Sequence, residues 1–473
     1  MRPNIILLVI DSLRGSNLSC YGYSRKTTPA IDAIAEQGTL FEQAISVGCW
    51  TLPVHASLFT GLYPISHGVT ISKDALPEGF PTLPRWLGEL GYQTASFSNN
   101  AYISSITGLT QGFDLVEDVW EQSNPRGVRR TRMGQLIKFL ERFGQTTKPV
   151  IRALRRLQKM RAVLKRKQNK TDKGARLTND KIRAWLKEGR DPQKPFFVFV
   201  NYMEPHLPYN PPSPYDRTFM SSRYSPSRVG RAGDNGNAPK GDNEKRRQEH
   251  IEILRALYDG EVRYLDDRIG ELVEFVKSMG MLDDTMIVIT SDHGDSLGEH
   301  DHYGHRMALY EQLVRVPLII RYPNCFRPGA RVSQHVSLID LYPTILHLAG
   351  ADGDLATANG FHNLINPPDL DVRPFIVAEN TAPKSQNSVT ARMVRTVRHK
   401  FIWKSDQNHE LYDLTRDPEE LVNLVEAEPQ VVQEMQEHLE NWIQSVGDLR
   451  VEVGTAEYEP AVLERLRALG YVD

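Results

Sequence analysis

Short, nearly unbroken apolar runs recur along the chain, and most of them end abruptly in polar residues. Ile5 to Ile10 is the first, and it stops at Asp11-Ser12-Leu13-Arg14. A run with no polar alternation predicts a strand buried on both faces, as in a parallel sheet. Helical periodicity follows over Ile31 to Gln37, then a strand-like region from Leu40 to Val47. The stretch from Cys49 to Gly61 starts as a turn and continues as a helix. Leu83 to Leu90 predicts a helix, and Gly91 leads from it to a strand at Thr94 to Phe97 that ends in Ser98-Asn99-Asn100. The same helix-then-strand alternation returns in Leu177 to Leu186 with Pro195 to Tyr202, and in a long helix from about Glu249 to Ser278 with Thr285 to Thr290. Val316 to Arg321 is a further strand. Alternation of this kind predicts an α/β domain with a mixed, mostly parallel sheet between helices. Beyond about Asp371 the runs become short and alternating: Arg392 to Val397 with Lys400 to Lys404 as a hairpin, Glu410 to Leu414, then a helix from about Pro429 to Ser445. We therefore expect a large domain over 1–370 and a small antiparallel α+β subdomain over 371–473.

Composition changes this picture little. The chain has 473 residues, 40% hydrophobic and 25% charged, with a net charge of −2, so overall charge selects no polyanionic partner. Three cysteines, Cys20, Cys49 and Cys325, cannot build a disulfide framework and suit a reducing compartment. The opening apolar run is too short for a signal or a membrane span, which points to a cytoplasmic protein, peripheral at most to the inner membrane face. Two segments stand apart. Residues 125–170 carry sixteen Arg and Lys against the single acid Glu141, with apolar residues at helical spacing. That pattern suits basic amphipathic helices, which either lie on an anionic membrane or cap the domain as a solvated hairpin. Nucleic acid is not expected, because Phe139 and Phe143 are spaced for a core face rather than a stacking platform. Residues 213–241, rich in Ser, Pro, Gly and Arg, predict a mobile surface loop.

The polar groups at the element ends carry the candidate chemistry. Asp11, Thr51, Asp292 and His293 offer two carboxylates, a hydroxyl and an imidazole, a donor set for one divalent ion such as Mn, Zn, Mg or Ca. Each also has a plain structural reading. Thr51, two residues before Pro53, is placed to cap a helix as readily as to face an anion. A metal on the Thr51 oxygen would lower its pKa and make it a nucleophile. His206, after the PFFVFVNY strand, and His305, in a loop that also holds His300, Asp301 and His302, could clamp an anion or protonate a leaving group.

The ordered motifs resemble the sulfatase family of the alkaline-phosphatase superfamily over nearly the whole chain. They are Pro3-Asn4-Ile5 through Asp11, and Pro53 to Gly61 with Tyr63-Pro64 and His67-Gly68. Gly91 to Ala95 and Pro195-Phe196-Phe197 with Pro205-His206 follow. Then come Ser291 to Gly294 with Leu297 to His300, Val316 to Ile320, and Leu411 to Leu414 with Asp417-Pro418 and Asn423-Leu424. The resemblance implies an alkaline-phosphatase-like fold: a large mixed sheet sandwiched by helices, plus a small C-terminal antiparallel sheet. It also implies departures. Thr51 holds the place of the cysteine that becomes formylglycine, and His55 that of the motif's arginine, so no formylglycine is expected. Ser12 stands where many relatives have a second metal-binding aspartate. Asn99 and His305 fall where sulfatases grip sulfate with lysines, and His293 replaces an asparagine. His55, Asn99 and His300 are thus candidate substrate-binding residues. The set is similar to a threonine-nucleophile branch that includes phosphoglycerol and phosphoethanolamine transferases and phosphodiesterases; phosphonate monoester hydrolases share the Asp-His pair but use formylglycine. The expected activity is metal-dependent cleavage of a phosphodiester or phosphonate by Thr51 through a covalent intermediate. The alternatives are a sulfuric ester hydrolase, a transferase passing a phospho-head-group to an envelope glycan or lipid, and a non-catalytic binder.

Overall fold

The computed structural model describes residues 2–70, 74–123, 172–235, 244–305, 308–351, 363–365, 373–380, 389–447, 453–460, 462–463 and 466. The basic segment at 125–170 lies outside the described residues. Strands β1 (Asn4–Ile10), β2 (Thr39–Ile45), β3 (Gln93–Ser98), β4 (Leu115–Asp118), β5 (Phe196–Tyr202), β6 (Thr285–Ser291), β7 (Arg315–Arg321) and β8 (Ala330–Ser337) form one 8-stranded sheet in the order β8-β2-β7-β6-β1-β5-β3-β4. Only β7 runs against its neighbours. β1 sits centrally, with Ile10 level with Ser291 on one side and Tyr202 on the other.

The unbroken apolar run of β1 has a simple outcome. Ile5, Leu7 and Val9 point into one core, with Phe197, Phe199 and Val288. Ile6, Leu8 and Ile10 point into the other, with Val198, Val200 and Ile289. Successive strand residues face opposite sides, so a strand covered on both faces needs apolar residues throughout. One face is covered by helices α1 (Pro29–Glu36), α4 (Ala175–Ala184) and α6 (Glu244–Ser278), the other by α2 (Thr51–Thr60), α3 (Leu83–Glu89) and α7 (Leu341–Leu348). Asp266 on α6 accepts the backbone N–H groups of Ala30 (3.0 Å) and Ile31 (2.8 Å), so one helix supplies the N-terminal cap of another.

Two expectations need correction. The 213–241 stretch is not a loop throughout: it contains a short helix at Tyr215–Thr218 and α5 (Pro226–Asn235). Val229 and Ala232, three apart, are buried against the same core as Tyr209 and Leu257, which outweighs the local Ser/Gly composition. The edge strands β4 and β8 were not predicted, because their polar, half-exposed residues lack the apolar signature of the central strands.

After the main sheet, β9 (Ile376–Asn380), β10 (Ala391–Arg395), β11 (His399–Lys404) and β12 (Glu410–Asp413) form a four-stranded antiparallel sheet, backed by α8 (Pro429–Gly447). Val394, Phe401 and Leu411 meet Met435 and Leu439 of α8 in the same apolar cluster as the main sheet. Ile376, Ala378 and Met393 pack from the other face on Ile45, Leu309 and Val314. No described helix is both long and apolar enough to cross a membrane.

Candidate active site

The C-terminal ends of β1 and β6 are neighbours, so the residues that follow them meet at one edge of the sheet. Asp11, Asp292 and His293 converge there, fully buried, with one ligand atom from each within 4.8 Å of the others. Ser12 takes a left-handed turn (φ 63°) immediately after β1. That conformation is strained for serine. It lets the Ser12 N–H reach Asp292 Oδ1 at 3.2 Å while its hydroxyl donates to Asp11 Oδ1 at 3.0 Å. Asn100 Nδ2 donates to Asp11 Oδ2 at 2.8 Å, and the His293 N–H donates to Asp292 Oδ1 at 2.8 Å. The His293 ring shares Nδ1 with the Gly294 carbonyl at 2.9 Å, which leaves Nε2 facing Asp292 Oδ2 (3.6 Å) and Asp11 Oδ1 (4.0 Å).

The donor set fits a divalent cation. Asp292 Oδ2 is buried without a hydrogen-bond partner among the described residues, in a cluster of hard oxygens and one imidazole. The electrostatics point the same way. Burial, then the neighbouring Asp11, pushes the Asp292 carboxyl up to about 7. Burial also opposes the charged forms of Asp11 and His293, but it is outweighed. His206, His293, Asn100 and Ser12 hold Asp11 below the ordinary carboxylate range. Asp292 and Asp11 hold His293 above the ordinary imidazole value. Two carboxylates sharing a dry site favour positive charge between them.

Thr51 opens α2, with Trp50 as the N-cap residue and no side-chain cap. The threonine is therefore the first helical residue rather than the N-cap. Its Oγ1 lies 3.4 Å from His293 Nε2, at the positive end of the helix dipole. His55, one turn on, donates from Nδ1 to the Thr51 carbonyl at 2.8 Å and lies 3.8 Å from Asp292 Oδ2. It is fully buried, with its ring edge-on to Phe199, and burial lowers its pKa to about 4. The Nδ1 bond braces the Thr51 backbone, while Nε2 has no hydrogen-bond partner among the described residues.

His206 and His305 complete the cluster. The His305 ring stands 4.6 Å from that of His293, 4.8 Å from that of His206 and 5.1 Å from Trp50. Burial lowers the pKa of His206 to about 4. Burial, then His293 and His206, takes His305 well below the usual imidazole value. The structure does not bring Asn99 and His300 to this cluster. The Asn99 amide donates to Thr178 Oγ1 (2.8 Å) and the Asn201 carbonyl (3.3 Å). Its neighbour Asn100 is the residue that reaches Asp11. The sequence marked this polar strand end, but only the geometry separates two adjacent asparagines. His300 stacks on Tyr310 (3.9 Å, 7°) and lines a cavity of about 680 Å3 with Arg14, Arg255 and Glu299. None of Asp11, Thr51, Asp292 or His293 lines that cavity. Sequence reasoning also missed Asp295, whose Oδ2 accepts the Tyr209 hydroxyl at 2.5 Å and whose Oδ1 lies 3.9 Å from His305 Nδ1. Its place at the end of the Ser291 to Asp295 run was the available signal.

The family model described as Sulfatase matches residues 3–351, and one described as N-sulphoglucosamine sulphohydrolase, C-terminal, matches 298–446. The arylsulfatase of Clostridium perfringens is 26% identical over 449 residues, covering 90% of this chain and 91% of that protein. BT4656, solved with its substrate D-glucosamine-2-N,6-O-disulfate, superposes with a TM-score of 0.71 at 21% identity, covering 95% of this chain and 99% of that one. The phosphonate monoester hydrolase of Agrobacterium radiobacter gives a TM-score of 0.69 at 21% identity, covering 97% and 100%. At these identities the solved structures speak for the shared fold.

Proposed function

The chain belongs to the sulfatase family of hydrolases, and from that premise we propose that it cleaves anionic esters, phosphodiester or phosphonate in type, with Thr51 as nucleophile. The observation that carries this is the Thr51 hydroxyl at the head of α2, 3.4 Å from His293 and beside the buried Asp11–Asp292–His293 group. Members of the family bind a divalent metal ion, and this trio is the set that would hold it. When bound, such an ion supplies positive charge that acidifies a neighbouring hydroxyl and offsets the charge of the ester.

The remaining work falls to the protein's own side chains. The Thr51 oxygen forms a bond to phosphorus, and the bond to the leaving alcohol breaks in line with it. His206 or His305 gives the leaving oxygen its proton. Both imidazoles are held neutral by burial, and the arriving ester brings the negative charge that favours their protonated form. His55 keeps the Thr51 backbone from moving during attack. The phospho-threonine then yields to water attacking at phosphorus. A threonine ester cannot collapse to an aldehyde as a formylglycine hydrate can, and displacement at phosphorus removes that need. This chemical argument favours the phosphoric ester.

A sulfuric ester is the second reading. It is favoured by the arylsulfatase of Clostridium perfringens, similar over nine-tenths of the chain. Bis(4-nitrophenyl) phosphate, 4-nitrophenyl phenylphosphonate and 4-nitrophenyl sulfate, each assayed with Mn, Zn, Mg and Ca, separate the two. We expect the phosphorus esters to turn over faster, and an acid-quenched sample to carry the adduct on the Thr51 peptide. Preference for the sulfate would overturn the substrate assignment. Turnover by Thr51→Ala would overturn the nucleophile.

A further inference from the structure

Thr51 and His305 stand at or just past the ends of their elements, next to irregular backbone. Thr51 follows the turn at Cys49–Trp50, and Ala308 is three positions after His305 in the chain. One side chain from the small sheet bonds to Cys49 before the first and to Ala308 after the second. Asn380, the last residue of β9, is almost fully buried. Its Oδ1 accepts the Cys49 N–H at 3.1 Å. Its Nδ2 donates to Cys49 Sγ at 3.0 Å and to the Ala308 carbonyl at 3.2 Å. Cys49 is two residues before Thr51, and Ala308 is three after His305.

A primary amide offers two N–H donors and a carbonyl, and all three are engaged. The orientation is therefore determined: reversing the amide would set NH2 against the Cys49 N–H and oxygen against the Ala308 carbonyl. The preceding residue extends the grip. The Glu379 N–H donates to the Val47 carbonyl at 2.9 Å. The Glu379 side chain accepts the Ile65 N–H at 2.5 Å and is held by Arg392 Nε at 3.1 Å. Gly48 makes this approach possible, since a Cβ there would meet the Glu379 carbonyl at 2.9 Å.

We propose that Asn380 is a positioning residue for ester cleavage, fixing the separation and orientation of Thr51 and His305 by tying their backbones to one amide of the small sheet. The inference rests on Thr51 acting as nucleophile and on His305, of the two imidazoles, acting as proton donor. In-line displacement needs the nucleophile and the proton donor on opposite sides of the reacting centre, and an error of about 1 Å in such an arrangement costs on the order of 100-fold in rate. It assigns the C-terminal sheet a part in the reaction without any contact with substrate.

The test uses the full-length protein with its metal. Asn380→Asp keeps the acceptor for Cys49 but turns both donor positions into acceptors. Asn380→Ser serves if that variant does not fold. On bis(4-nitrophenyl) phosphate we expect kcat to fall about 10- to 100-fold with KM nearly unchanged. On diphenyl phosphate, whose leaving group depends more on protonation, the fall should be larger. Mn²⁺ affinity by calorimetry should not change, because Asn380 touches none of Asp11, Asp292 and His293. In the wild-type background Cys49→Ser, which retains an acceptor for the Asn380 Nδ2 group, should keep turnover close to the wild-type value. A purely structural role would reduce both substrates in equal proportion, matching the loss of folded protein, and that result would overturn the inference. So would an unchanged kcat. Turnover by Thr51→Ala would instead sink the nucleophile assignment, a separate and readily distinguished failure.

Discussion

Glu204→Gln should leave stability unchanged in acid and raise it in alkali. Glu204 is fully buried just past β5. Its Oε1 accepts the Lys173 N–H at 2.8 Å, and its Oε2 has no hydrogen-bond partner among the described residues. Burial, then Asp172 and Glu261, pushes its carboxyl from 4.5 up to about 8, against the pull of Lys173. A raised folded pKa means that the folded protein holds the proton more tightly than the unfolded chain. The resulting stabilisation is complete below pH 4.5 and is lost as pH rises through about 8. At about 1.4 kcal/mol per pH unit the ceiling is about 5 kcal/mol. Rearrangement around the new charge, with the Lys173 ammonium already near at the His206 carbonyl (2.5 Å) and Glu261 (3.0 Å), reduces this to roughly 2–3 kcal/mol. Glutamine stays neutral and keeps a carbonyl for the Lys173 N–H. Urea denaturation followed by tryptophan fluorescence should therefore give equal midpoints at pH 5 and a higher midpoint for the variant at pH 9. A difference between variant and wild type that stays constant with pH would refute the reasoning, and so would a wild type that gains on the variant as pH rises.

Thr51→Ala should abolish turnover while equilibrium dialysis shows metal still bound, and Thr51→Ser should retain measurable turnover. Asn100→Ala removes a donor from Asp11 Oδ2 and should weaken Mn²⁺ binding about 10-fold by calorimetry, the usual effect of losing a partner of a metal-ligating carboxylate. Lys400 is fully buried between Glu311 (3.2 Å) and Glu420 (2.8 Å); Arg395 also holds Glu311 (3.0 Å), so Lys400→Met strips the cation chiefly from buried Glu420 and should cost about 3 kcal/mol in denaturation experiments.

What was legible from sequence follows from how the signals are coded. The runs of β1, β5 and β6 are apolar throughout because both faces of each strand are buried, so their existence and the polar residues at their ends could be read directly. Asp11, Thr51, Asp292 and His293 were found this way and do meet. The edge strand β8 and helix α5 were not legible, because their place is set by neighbours rather than by local pattern. The places that His55, Asn99 and His300 take have a related cause. Motif position says which segment lies near the site but not where a side chain turns. His55 faces the backbone of its own helix, and Asn99 and Asn100 diverge from adjacent positions.

The sequence by itself determined the α/β class, the family and the four polar groups at the sheet edge, since each is written in short-range pattern and order. Only the tertiary structure decided which asparagine serves Asp11, that Thr51 is the first residue of its helix, that His55 bonds to the Thr51 carbonyl, and that Asn380 reaches the turn before Thr51. Those outcomes depend on contacts between residues as far apart as Cys49 and Asn380, where packing and hydrogen-bond geometry select one arrangement from many that the local sequence allows.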